Sequence, residues 1–175
     1  MQRVMIIGGP GSGKSTLARQ IGEALDLPVY HIDRLFWRPG WQESEKGPFN
    51  EKLRRLYLDE RWIVEGNYSR TWPERVARAD CIIFLDLPTP LRLWRLLKRM
   101  LASYGQVRAD MAPGCPERLD WAFLHYAATF PTHSRPRALE LLAQLPAEKE
   151  RHHLRSRTAV RAILQRIRPA AAVQA

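Results

Sequence analysis

Cysteine is scarce in this chain, with two among 175 residues, and lysine is the minor partner of arginine among its basic residues. Cys81 and Cys115 have neither metal-ligand spacing nor a disulfide framework. Cys81 opens an apolar strand, the place of a small core hydrophobe, so a redox role has no support. No apolar run approaches the roughly 18 residues of a membrane helix; the longest, from Cys81 to Leu85, is strand-sized. From Met1 the chain runs straight into a strand-like segment, without the charged region, apolar stretch and cleavage site of a secretory leader. The expectation is a cytoplasmic protein. Helix-turn-helix, zinc-finger and RNA-module patterns are also missing.

What is present is an ordinary globular composition, 45% hydrophobic and 26% charged, on a length that suits one compact domain. Net charge is +10. Such a balance attracts polyanions such as nucleic acid. It equally suits a phosphate-handling site, because the planar guanidinium meets phosphate oxygens two at a time.

Strand-like and helical stretches alternate along the chain. Strands are predicted at Arg3–Gly8, Pro28–Ile32, Trp62–Glu65, Cys81–Asp86 and, more weakly, Arg151–Arg155. Helices are predicted at Gly13–Leu25, Pro48–Glu60, 90–104, 117–129, 134–145 and Thr158–Ile167. Five strands interleaved with helices mean an α/β fold with a parallel sheet covered on both faces. Residues 1–168 form the expected domain, with 102–116 a lid-like excursion and 169–175 a frayed tail.

Gly8-Gly9-Pro10-Gly11-Ser12-Gly13-Lys14-Ser15 is a complete phosphate-binding loop, directly after a hydrophobic strand and opening an amphipathic helix. Its glycines let successive N–H groups curl around one concavity, and the helix dipole at Thr16 and beyond favours an anion there. Lys14 is expected to reach the β- and γ-phosphates, and Ser15 to ligate Mg²⁺. The donor is a nucleoside triphosphate, and the absence of an Asn-Lys-x-Asp segment argues against a GTPase. A small kinase remains.

Two acids compete for the metal side, Glu65 and Asp86, each at a strand end. Glu65 is favoured because in small P-loop kinases that residue ends the third strand, beside the first; Asp86 then caps the turn before Pro88. Asp33 ends the second strand, where ligands gather in an open parallel sheet, and is expected to orient or deprotonate the acceptor; His31, one residue off that face, is read as packing. Arg92, Arg95 and Arg99 share one face of the helix from Pro90, opposite Leu91, Trp94, Leu97 and Leu101. That basic face can neutralise the transferring phosphoryl group or simply be solvated. Arg108, Arg118, Arg135 and Arg137 are further candidates. Phe36, Trp37, Trp41, Tyr68 and Trp72 either pack a core or form a stacking wall for a flat substrate.

Tyr30-His-Ile-Asp33, Phe36-Trp-Arg-Pro-Gly-Trp41, Glu65-Gly-Asn-Tyr-Ser-Arg70 and Asp110–Asp120 together resemble the bacterial adenylate-kinase-like proteins known as DNA topology modulation proteins, from Met1 to about Ile167. The resemblance implies a P-loop kinase fold with strand order 2-3-1-4-5 and ATP as donor. It also implies adenine contact at Ser156 and Arg157, and a lid at 102–116. The expected function is an ATP–Mg²⁺ phosphotransferase acting on a small molecule, a nucleotide or nucleoside among the candidates. The alternative is an ATP-gated nucleic-acid-binding regulator of DNA topology.

Overall fold

The computed structural model describes residues 1–167; the tail expected at 169–175 lies outside the described residues. Strand β1 (Arg3–Gly8) passes through the loop into helix α1 (Lys14–Leu25), then β2 (Val29–His31) and the short helix α2 (Ile32–Phe36). A hairpin of β3 (Trp37–Arg38) and β4 (Gln42–Glu43) precedes α3 (Lys46–Leu58) and β5 (Trp62–Glu65). After a 3-10 turn at Ser69–Thr71 come α4 (Trp72–Arg78), β6 (Cys81–Leu85) and α5 (Thr89–Ala102). A stretch without helix, 103–120, then leads to α6 (Trp121–His133), α7 (Arg135–Ala143), β7 (Glu150–Leu154) and α8 (Arg157–Ile167).

The main sheet has the order β2-β5-β1-β6-β7 with every pair parallel. With the small hairpin set aside, this is the expected five-stranded 2-3-1-4-5 arrangement. Central strands are apolar throughout because alternate residues enter different cores. Met5, Ile7, Val64 and Phe84 face Phe49, Leu53 and Phe130, whereas Val4, Ile6, Ile63 and Ile83 face Leu17, Ile21 and Ile163. Strand β7 is the polar exception, and its place at the sheet edge explains why. His153 stacks on Phe84 with centroids 5.2 Å apart and planes 10° from parallel.

Four expectations need correction. Helices α2 and α4 and the β3–β4 hairpin were not foreseen, since segments this short carry too few turns to show a period. Helix α6 begins at Trp121 instead of 117, because Asp120 caps it by accepting from the Phe123 N–H at 2.9 Å. Helix α3 covers Lys46–Leu58, two residues earlier at each end than Pro48–Glu60. The fourth concerns α5: its inward face holds Arg92, Leu96 and Met100, while Trp94, Leu97 and Leu101 are exposed. Periodicity found the two faces, but the neighbours decided which one turns inward.

Candidate active site

The phosphate loop is built by close approach as much as by backbone freedom. Gly13 has φ 96°, a left-handed conformation that costs glycine little. A Cβ on Gly9 would lie 2.5 Å from Arg92 Nη1, and one on Gly11 2.4 Å from the Arg92 carbonyl oxygen. Helix α5 therefore packs directly onto the back of the loop. Within the loop, the Ser12 N–H donates to the Gly9 carbonyl at 3.1 Å. The Ser12 hydroxyl is buried with no hydrogen-bond partner among the described residues. An orphaned hydroxyl inside an anion-binding turn fits a phosphate oxygen as its missing acceptor.

The loop opens on a cavity of about 1330 Å³ lined by Pro10 to Leu17, Asp33, Glu65, Arg95, Arg99 and part of 103–120. Gly8 and Gly9 lie behind the lining, Gly8 donating its N–H to Asn67 Oδ1 at 3.0 Å. Lys14 donates to the Gly9 carbonyl at 3.4 Å, and Thr16 sits on the exposed rim. Loss of water around Lys14 pushes its ammonium below the ordinary lysine value, with Glu65 and Asp33 working the other way.

Glu65 is buried at the end of β5, where Ser15 Oγ donates to its Oε1 at 3.0 Å and His31 Nδ1 approaches the same oxygen at 2.7 Å. Burial alone would raise this carboxyl; His31, Lys14 and Ser15 outweigh it and hold it below the usual glutamate value. Asp33, on the first turn of α2, is exposed to the cavity while protein is dense around it. The crowding pushes its carboxyl up, Glu65 adds to that, and Lys14 opposes it. Asp110, from the stretch 103–120, adds a third carboxylate to the cavity beside Glu65 and Asp33, and sequence reasoning missed it as a site residue. Its signal was its place in the 110–120 motif.

Asp86 sits apart from this group. Its two oxygens accept from Arg135 Nε at 2.9 and 3.0 Å, and His153 Nε2 lies 2.8 Å from Oδ2. It ties α7 and β7 to the end of β6 instead of capping the turn before Pro88, and the carboxylate beside Ser15 is that of Glu65. Ser15 and Glu65 present the oxygen donors that Mg²⁺ takes.

The arginines divide. Arg92 is buried behind the loop, donating to the carbonyls of Leu87, Pro10 and Ala127 at 3.1, 3.1 and 3.3 Å, with its cation over the Phe130 ring. It does not enter the cavity, which corrects its expected place on an open basic face. Arg95 does, donating to the Ser12 carbonyl at 3.3 Å. Arg99 also lines the cavity but is paired with buried Glu117 at 3.1 Å, a carboxylate shared with Arg108 at 2.8 Å. Arg157, the first residue of α8, lines the cavity. Ser156 does not; its Oγ accepts from the Ala159 N–H at 3.1 Å and caps that helix. Arg118 lines the cavity over the Trp41 ring, whereas Arg135 serves Asp86.

Sequence reasoning also missed Arg75, fully buried, which donates to the carbonyls of Gly66 and Asn67 at 2.9 and 2.8 Å. Burial pulls its guanidinium down to about 10. It holds the turn after Glu65, joined by a Trp72 Nε1 bond to the Asn67 carbonyl.

The aromatic residues mostly pack. Phe36, Phe49 and Tyr68 interlock edge-on or tilted at 4.8–5.3 Å. Trp37 and Trp41 cover Met111, Ala112 and Cys115, and Trp41 Nε1 donates to the Pro116 carbonyl at 3.1 Å. With the Gly40 N–H bonded to the Gly114 carbonyl at 2.8 Å, the hairpin and 103–120 form one wall of the cavity.

Among the described residues, Cys81, Glu150 and His152 also bring metal-ligand atoms together, within 4.8 Å of one another. His152 Nε2 and Glu150 Oε1 already satisfy each other at 2.8 Å, and burial pushes the Cys81 thiol up, away from the thiolate a metal requires. No helix among the described residues is long and apolar enough to cross a membrane.

Known proteins resemble this arrangement. No family model matches the chain. The uncharacterized protein YqaC of Bacillus subtilis is 26% identical over 131 residues, 74% of this chain and 72% of that protein. Shikimate kinase from Acinetobacter baumannii, in complex with shikimate, superposes with a TM-score of 0.57 at 16% identity, covering 95% of this chain and 91% of that one. A gluconokinase from Sinorhizobium meliloti gives 0.53 at 17% identity, over 95% and 89%. At these identities the likeness is one of fold, and the fold of this chain is that of the P-loop kinases.

Proposed function

We propose that the protein is an ATP-dependent phosphotransferase that moves the γ-phosphoryl group to a hydroxyl of a small molecule. The observation that carries this reading is that Asp33 and Lys14 line one cavity, with the Asp33 carboxyl raised above the ordinary aspartate value. Lys14 and the loop N–H groups of Gly11 to Ser15 bind the β- and γ-phosphates, while Arg95 and Arg157 flank the donor side. Mg²⁺ held by Ser15 and Glu65 would offset phosphate charge. The acceptor oxygen attacks the γ-phosphorus, the bond to the ADP oxygen breaks, and Asp33 takes the acceptor proton. Arg99 stands beside this site with one donor held by Glu117.

Structural likeness to kinases of shikimate and gluconate supports a hydroxyl acceptor. The narrower adenylate-kinase-like reading is supported by the motif resemblance and by 103–120 in the place of a lid. A nucleic-acid role draws on the +10 charge and on the DNA topology modulation resemblance, but Arg75, Arg92, Arg99, Arg108 and Arg135 are engaged by carbonyls and carboxylates of the protein itself. Release of ADP should be screened against hydroxy acids, sugar acids, nucleosides and nucleoside monophosphates, beside a Lys14→Ala variant. An acceptor that raises turnover in the wild type alone is expected; no acceptor raising it above the variant refutes the reading.

A further inference from the structure

We infer that His31 is a positioning residue for the metal-side carboxylate, holding Glu65 so that one oxygen serves Ser15 and the other turns to the cavity. The inference rests on the metal-side reading of Ser15 and Glu65 given above. It deepens that reading by assigning a task to a side chain that periodicity places in the packing.

The pair is set by strand register. β2 and β5 run parallel with Val29 beside Ile63, Tyr30 beside Val64 and His31 beside Glu65, so the last residue of each strand presents its side chain to the other. Both are buried, 9% and 4% exposed. An ionised carboxylate only accepts, so His31 Nδ1 carries the proton and donates across 2.7 Å. Ser15 Oγ donates to the same Oε1 at 3.0 Å. Two donors on Oε1 fix the rotation of the carboxylate, and Oε2 has no protein hydrogen bond among the described residues. The backbone is equally constrained: β2 ends at His31, and Ile32 packs against Gly66, where an added Cβ would lie 2.9 Å from Ile32 Cβ.

The alternative partner for Glu65 is close. Its charge attracts the Lys14 ammonium. A carboxylate released from His31 rotates toward that ammonium, which removes the metal-side oxygen. A partner that orients a ligand without touching the metal commonly contributes about 10–100-fold in metal affinity. His31 thus joins the two halves of the site, since Asp33 on the acceptor side follows it by two residues on the same strand-to-helix turn.

The test compares ATP binding with Mn²⁺ and with EDTA by calorimetry, and Mn²⁺ binding in the presence of ATP by electron paramagnetic resonance, for wild type, His31→Ala and His31→Asn. The asparagine amide places a donor near the ring Nδ1. His31→Ala should lose about tenfold or more of the affinity gained from metal, with metal-free ATP binding within about threefold of wild type, and His31→Asn should regain most of the loss. A full metal gain in His31→Ala overturns the inference alone, as does a His31→Asn no better than alanine. Absence of any metal gain in the wild type overturns the metal-side reading, and the inference with it. If His31→Ala does not fold, His31→Gln, whose amide lies one bond further out, replaces it against His31→Asn with the same expected order.

Discussion

The guanidinium of Arg92, on α5, lies 3.1 Å from the carbonyl oxygen of Pro10, so a buried cation supports the phosphate loop from behind. The same group reaches Leu87 and Ala127 and is seated over Phe130. It therefore binds loop, strand end and α6 into one body.

Arg92→Ala should lower stability by about 3 kcal/mol, because several carbonyls lose a charged donor in a buried place. Thermal denaturation measures the loss. ATP affinity should fall with it, and saturating ATP should restore part of the melting temperature. A variant as stable as wild type removes the bracing role.

Asp33→Asn should leave ATP affinity unchanged while lowering kcat by about 10²–10⁴-fold with any acceptor that turns over. In the wild type, the base works only when ionised. Its carboxyl is raised, so the rate should drop as pH falls through a value above the ordinary 3.8. Steady-state rates across pH check both, and an acid limb kept by the variant counts against Asp33 as base.

Asp86 offers a separate pH signal. Burial tends to raise its carboxyl, but the Arg135 and His153 hydrogen bonds prevail and lower it. Its contribution is therefore present above the unfolded value near pH 4 and is lost as pH falls through the lowered folded value. Asp86→Asn should be less stable than wild type by about 1–3 kcal/mol at neutral pH, and the gap should narrow in acid. Urea denaturation at several pH values measures it.

Glu117 is buried between Arg99 and Arg108. Glu117→Gln leaves two cations facing each other, with an expected cost of about 2 kcal/mol. Amide exchange should quicken in 103–117, where the Gly105 N–H donates to the Glu117 carbonyl at 2.9 Å. Unchanged protection there would show that backbone contacts alone hold the segment.

Much of this was legible along the chain. The apolar run before Gly8, the glycines, and Lys14-Ser15 form a local pattern whose backbone geometry requires those residues, and the sheet order follows the kinase resemblance of the motifs. Glu65 and Asp33 could be picked out because strand ends in a parallel sheet converge on one edge. Helix α5 shows where such reading stops: arginines and leucines alternate with clear periodicity, yet burial depended on which neighbours arrived, and Gly9 and Phe130 leave room for a guanidinium. His31 and Arg75 escaped for the same reason, since a histidine at a strand end or an arginine in a short helix acquires a task only from partners brought to it. Sequence alone determined the phosphate loop and the alternation of the five main strands with helices, because local backbone chemistry and hydrophobic period are written in neighbouring residues. Tertiary structure alone decided which charged side chains face the cavity and which brace it, because a desolvated charge goes wherever distant carbonyls and carboxylates can satisfy it.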